Sequence, residues 1–187
     1  MVEWPSYSAA VLAGGKAQRM GGVDKGLLDW HGQPLVEWVR QALGEPQAWL
    51  VSANRNQAHY AALGWQVVED PALAGVEPFA GPLLGLLALL RACPTPWLLV
   101  SPCDTPDLPA DFAQRLIGAG AQVVCATDGE RIHPLHLWLP TQLADSLEAY
   151  LRSGERRVMG WVMAQQPALV SFADQPQSLR NLNSLPG

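Results

Sequence analysis

The sequence predicts an α/β fold: a mostly parallel sheet with helices on both faces, in one domain over residues 1–187. Three observations predict it. Short apolar runs alternate along the chain with helical apolar patterns, as expected when helices are laid over a sheet. The run Trp97-Leu98-Leu99-Val100 is apolar throughout, like a parallel strand covered on both sides. A glycine-rich loop directly follows the first apolar run.

Taken in order, Ala9-Ala10-Val11-Leu12 reads as a buried strand entering that loop. Leu35, Trp38, Val39, Ala42 and Leu43 then recur on one helical face, with Pro34 near the start and Gly44 near the stop. Trp49–Val51 reads as a strand, Gln57–Leu63 as a short helix ended by Gly64, and Trp65–Val68 as the next strand. Pro82 opens a helix over Leu83–Arg91, whose leucines leave almost no polar face and imply deep burial. Further on, Gly154 ends one helix and another begins near Arg156. His31, before Gly32, reads as a turn residue and His59 as a helix-surface residue, while the dispersed tryptophans serve packing.

Composition narrows the class. At 187 residues the chain can bury a substantial core. The longest mainly apolar run, Phe79 to Leu90, falls short of the ~20 residues that span a bilayer. No basic segment precedes a long apolar core at the N-terminus, so a cytoplasmic protein is expected. The three cysteines, Cys93, Cys103 and Cys125, are too scattered for a disulfide framework or a zinc site. A net charge of −5 argues against a nucleic-acid partner, yet not against a small anion, which senses only local charge.

The loop from Leu12 to Leu27 carries the chemistry. Gly14, Gly15, Gly21 and Gly22 let its backbone take positive φ and approach a ligand closely. Exposed N–H groups in such a loop make an anion site, to which Arg19 and Lys25 add positive charge. No three glycines here have dinucleotide-fingerprint spacing, and Gly15-Lys16 is followed by Ala17 where a P-loop needs Ser or Thr. The loop is expected to cradle a nucleotide's phosphates. Its bland alternative is a strand–helix turn with solvated charges.

Ligands of open α/β sheets bind beyond the carboxyl ends of the strands. Ser52, Asp70 and Asp104 each follow a predicted strand, as the loop does. Asp104 suits Mg²⁺, which takes one or two carboxylates together with substrate phosphates. Asp-Thr-Pro is also a common turn sequence, and the residues alone support both readings. Asp70 can accept two hydrogen bonds, matching the N1–H and 2-amino donors of guanine. Alternatively, Glu69-Asp70-Pro71 is a polar strand end. Cys103 is expected to pack rather than react. Arg131, Arg152, Arg156 and Arg157 stand out in an acidic chain, and basic side chains near a helix start point to an anionic second substrate. The alternative is a solvated face neutralised by Glu155 and its neighbours. The histidines show no metal-ligand spacing.

The block Leu12-Ala13-Gly14-Gly15-x-x-x-Arg19-Met20-Gly21-Gly22-x-Asp24-Lys25-Gly26-Leu27 resembles the signature of the molybdenum cofactor guanylyltransferases. Further matches follow in order: Ser52-Ala53-Asn54-Arg55, Glu69-Asp70, Gly81-Pro82-Leu83-x-Gly85, Pro102-Cys103-Asp104-Thr105-Pro106, Asp128-Gly129-Glu130-Arg131 with His133-Pro134, Ser153 to Met159, and Asn181-Leu182-Asn183. The resemblance implies a Rossmann-like nucleotidyltransferase domain that joins GMP from GTP to molybdenum-bearing molybdopterin. It implies GTP contacts from Leu12, Ala13, Gly14, Gly15, Arg19, Lys25, Ser52, Asp70 and Asp104, with Mg²⁺ on Asp104 and catalysis by Arg19, Lys25 and Asp104. Gly81, Gly85, Arg156, Arg157, Asn181 and Asn183 would face the molybdopterin. Molybdoenzymes or their chaperones would be transient partners, with neither nucleic acid nor membrane involved.

One departure stands out: related chains often carry Asn where this chain has Ser52, a shorter residue with a single hydroxyl. Two other functions compete. A sister enzyme would use CTP or another nucleotide; cytidylyl relatives usually lack the Gly-Gly-x-Asp-Lys-Gly block. A non-catalytic nucleotide or cofactor carrier would not need Lys25 and Asp104 together.

Overall fold

The computed structural model describes residues 4–14, 23–78 and 81–182. Its centre is a seven-stranded sheet in the order β5-β4-β1-β6-β8-β7-β9. These strands are β1 (Tyr7–Leu12), β4 (Trp49–Ser52), β5 (Gln66–Val68), β6 (Trp97–Pro102), β7 (Val124–Thr127), β8 (Ile132–Pro140) and β9 (Ala168–Ser171). A two-residue pair, β2 (Asp29–Trp30) with β3 (Gln33–Pro34), closes through His31 and Gly32, both at positive φ. That turn is legible in the sequence; the strands flanking it are not. All neighbours in the large sheet are parallel except β8, which runs against both β6 and β7.

Helices cover both faces, as the alternating pattern predicts. Every residue of β1 is buried, and its side chains divide between two cores. Ala9 and Val11 join Val36, Val39, Phe112 and Leu116 on one face, beneath α1 (Leu35–Ala42) and α4 (Phe112–Ile117). Ala10 and Leu12 join Leu83, Leu87, Leu147 and Trp161 on the other, beneath α3 (Pro82–Ala92), α5 (Ala144–Arg152) and α6 (Val158–Ala164). A strand's two-residue side-chain period makes this division unavoidable. The short α2 (Gln57–Ala62) drives Tyr60 into the first core and stops at Gly64. In α3 eight consecutive residues, Leu83 to Leu90, are buried, matching the absence of a polar face. At the seam between β6 and β8, Trp97 and Trp138 stack with ring centroids 5.0 Å apart.

The chain runs from β1 outward through β4 to β5, then returns across the sheet to β6 on the other flank of β1. The strand order therefore reverses beside β1, where an open α/β sheet leaves a crevice. Because β8 is antiparallel, the β7–β8 turn over residues 128–131 also comes back to that edge.

Candidate functional site

Register aligns the strand ends at this edge: Leu12 faces Ser52 on one side and Pro102 on the other. Backbone bonds carry the alignment one step further, from Ala13 N to Ser52 O at 2.9 Å and from Cys103 N to Leu12 O at 3.1 Å. Past them opens a cleft of about 610 Å³, lined by Leu12 to Gly14, Asp24, Lys25, Cys103 and Asp104 on the β1–β6 side. His133, His136, Val158 and Asn181 line the opposite side. Its size is that of a small-molecule site.

Lys25 and Asp104 meet in this cleft, Nζ to Oδ2 at 3.3 Å, although 79 positions separate them. The partner of the lysine is fixed by the fold; the lysine itself is fixed by Asp24. Asp24 Oδ1 accepts hydrogen bonds from Gly26 N at 3.2 Å and Tyr60 Oη at 2.6 Å, while Oδ2 accepts from Asn56 Nδ2 at 3.1 Å. A buried carboxylate with such partners is stable in place and anchors the single 3₁₀ turn Lys25–Leu27. Burial, reinforced by the bond to Asp24, pushes the Tyr60 hydroxyl far above its ordinary value, so it remains a donor. A Cβ at Gly26 would overlap that hydroxyl, which accounts for glycine there. Within the glycine-rich block Asp24 carries no sign of a role of its own except its position two residues before Gly26, suited to an Asx turn.

Asp104 fits a metal of a particular kind. Both oxygens of Asp24 are engaged, and among the described residues no three His, Cys, Asp or Glu side chains cluster around a metal-sized space. One carboxylate at the cleft would suit Mg²⁺, which completes its shell with water and ligand oxygens. Cys103 is buried, and burial together with the charges of Asp104 and Asp24 holds its thiol protonated. It packs.

The remaining expected contacts are distributed unevenly. Leu12, Ala13 and Gly14 line the cleft; Gly15, Arg19 and Asn183 lie outside the described residues. Ser52 does not reach the cleft. It is fully buried, its Oγ has no hydrogen-bond partner among the described residues, and a Cβ at Gly85 would overlap it. Gly85 thus serves the close approach of α3 to β4 rather than standing in the cleft wall. Asp70 is half-buried past β5, outside the lining of the cleft; its backbone N donates to Asn54 Oδ1 at 2.9 Å. Burial raises its carboxyl, partly offset by the Asn54 amide. Gly81, at φ +101°, precedes α3 and is exposed beside the cleft residue Pro82.

The arginines differ from expectation. Gly154 ends α5 and α6 begins at Val158 with Arg157 as its N-cap, close to the predicted start, but Arg156 turns back to donate to Leu151 O and Glu155 O, both at 2.6 Å. Its charge answers the carboxyl end of α5, where a helix dipole is negative. Arg157 is exposed, and neither arginine lines the cleft. Arg131 and Asn181 instead border a second cavity of about 850 Å³ that shares His133 and Asn181 with the first. Leu182 N donates to Asp104 O at 2.7 Å, tying the C-terminal segment to the cleft floor.

His133 was singled out only through its motif. Its Nε2 lies 2.8 Å from Asp128 Oδ2, while Asp128 Oδ1 accepts from Glu130 N and Arg131 N. These bonds hold the Asp128 carboxyl far below its ordinary range. His136 is fully buried with Nδ1 3.0 Å from Ser101 Oγ and Nε2 without a partner among the described residues; burial lowers its pKa to about 3.

Residues 9–176 match the family model of the MobA-like NTP transferase domain. The molybdenum cofactor guanylyltransferase of Pasteurella multocida is 42% identical over 186 residues, covering 96% of each chain. That of Shewanella putrefaciens is 41% identical over 183 residues, covering 95% of this chain and 91% of its own. Among solved structures, molybdopterin-guanine dinucleotide biosynthesis protein A from Archaeoglobus fulgidus superposes with a TM-score of 0.69 at 22% identity, covering 95% of this chain and 92% of that one. A cytidylyltransferase from Thermus thermophilus shares the fold as well, with a TM-score of 0.67 at 17% identity over 97% of this chain and 94% of that one. The fold is therefore common to several nucleotidyltransferases, and it is the sequence similarity over nearly the whole chain that places this protein in the MobA-like NTP transferase family, among the molybdenum cofactor guanylyltransferases.

Proposed function

We propose that the protein transfers GMP from GTP to the terminal phosphate of molybdenum-bearing molybdopterin, releasing pyrophosphate and forming the guanine dinucleotide cofactor. The observation that carries this reading is the Lys25–Asp104 pair in the cleft beside β1, a cation and a carboxylate at one mouth. A phosphate oxygen of molybdopterin attacks the α-phosphorus of GTP. The new P–O bond forms as the bond to the oxygen bridging toward the β-phosphorus breaks, and that oxygen leaves with pyrophosphate. The attacking oxygen is already anionic, so no protein nucleophile is needed, and positioning and charge stabilisation supply the catalysis.

Lys25 and Arg19 hold the phosphates, the backbone from Leu12 to Gly15 lines the nucleotide, and Asp70 accepts from the base. Asp104 would hold Mg²⁺, which supplies charge neutralisation of the phosphate oxygens. The far wall, with Asn181, receives the molybdopterin. Such a protein works in the cytoplasm, delivering its product to molybdoenzymes or their chaperones.

Asp104→Asn tests the reading. Asn keeps the size and turn-forming capacity of Asp but lacks the charge that Mg²⁺ requires. Dinucleotide formation from GTP and molybdopterin is expected to collapse across a Mg²⁺ titration while circular dichroism stays unchanged. A wild-type rate with unchanged Mg²⁺ dependence would overturn the assignment.

A further inference from the structure

Ser52 ends β4, but its hydroxyl is sealed between α3 and β4. If a side chain beyond β4 contacts the base, it must be another one. Asn54, two residues on, is half-buried. Its Oδ1 is occupied by Asp70 N at 2.9 Å, which fixes the plane of the amide and turns Nδ2 away from that bond. Nδ2 abuts the glycine loop: a Cβ at Gly14 would lie 3.2 Å from it, so glycine leaves room for the amide. Nδ2 carries two hydrogens. One can serve the Asp70 carboxylate, whose charged form the Asn54 amide favours, which leaves the other for an acceptor on a ligand.

We propose that Asn54 is a specificity-determining residue, donating from Nδ2 to guanine O6 while the adjacent Asp70 carboxylate accepts from N1–H and the 2-amino group. A donor beside an acceptor complements that edge of guanine. Adenine presents an N6 donor where Asn54 also donates, and an acceptor N1 where Asp70 also accepts, so both contacts become repulsive. The inference rests on the GTP reading above and names the side chain that enforces it.

Asn54→Asp is the test, because Asp retains the acceptor for Asp70 N and loses the donor. Equilibrium binding of GTP is compared with that of 6-thio-GTP, which keeps N1–H and the 2-amino group but has a weakly accepting sulfur in place of O6. Relative to wild type, the variant is expected to bind GTP about tenfold or more weakly, with a markedly smaller loss for the analogue. The extra charge weakens both ligands alike, so the ratio is the readout. Equal losses for the two ligands would overturn the role of Asn54 and leave the GTP reading standing. A wild-type protein with no preference for GTP over ATP would overturn both. Should Asn54→Asp fail to fold, Asn54→Ala answers the same question by the same ratio.

Discussion

Lys25 is placed by other residues rather than by its own packing. Asp24 pins the turn that carries it, and Asp104 receives its ammonium group. Because Lys25 keeps a third of its side-chain surface exposed, Lys25→Ala is expected to fold normally. Turnover should fall about tenfold to 150-fold, the equivalent of ~1.5–3 kcal/mol for a charge-assisted hydrogen bond. Turnover near wild type at saturating GTP would remove Lys25 from the site. The motif made Lys25 and Asp104 visible as separate candidates. Their contact was not legible, since nothing local encodes a pairing across 79 positions. Arg156 shows the converse: its charge was legible, but its engagement with the Leu151 carbonyl at the end of α5 was not.

The helix α3 illustrates what an element's position demands of its sequence. Replacing a helical glycine with alanine ordinarily stabilises by ~0.5–1 kcal/mol. At Gly85 the added Cβ meets Ser52 Oγ in a buried, close-packed contact, so Gly85→Ala is expected to destabilise by about 1–3 kcal/mol. Urea denaturation checks this. Combining it with Ser52→Ala should recover part of the loss, giving a non-zero coupling that two independent substitutions would lack. The burial of α3 was legible from its leucines, because a helix without a polar face has no solvent side. The direction of β8 was not. A run of alternating or continuous apolar residues has the same pattern whichever way the strand runs, and hydrogen-bonded neighbours alone decide it.

For the molecule as a whole, acidity should weaken the native state earlier than its carboxylates require. His136 is held neutral in the core with a pKa near 3, against an ordinary value of 6.5. Between those limits the unfolded chain binds a proton that the folded chain refuses, so stability rises with pH there and falls by up to about 1.4 kcal/mol for each unit of acidification. Asp128, Glu148 and Asp174 are lowered, so their contributions are lost only as pH drops below the ordinary carboxyl range. Asp70, raised by burial, acts in the opposite sense just above 3.8. Denaturation midpoints from pH 7 to 4.5 should therefore decline, and His136→Leu should flatten the decline. An identical slope in the variant would show that His136 does not control it. The overall architecture was largely legible, since alternation of strands and helices constrains which way a chain can wind.

The reversal of β8 has an evolutionary consequence. The β1 side of the cleft is built from strand ends that are joined by long crossovers, so each piece is tied to the register of the entire parallel half. The neighbouring cavity includes the tip of a hairpin, whose two stems are adjacent strands. Such a tip can be lengthened, shortened or exchanged without moving any other strand. Divergence of this architecture toward new acceptors can therefore proceed by grafting one turn, residues 128–131, onto an inherited nucleotide-handling frame.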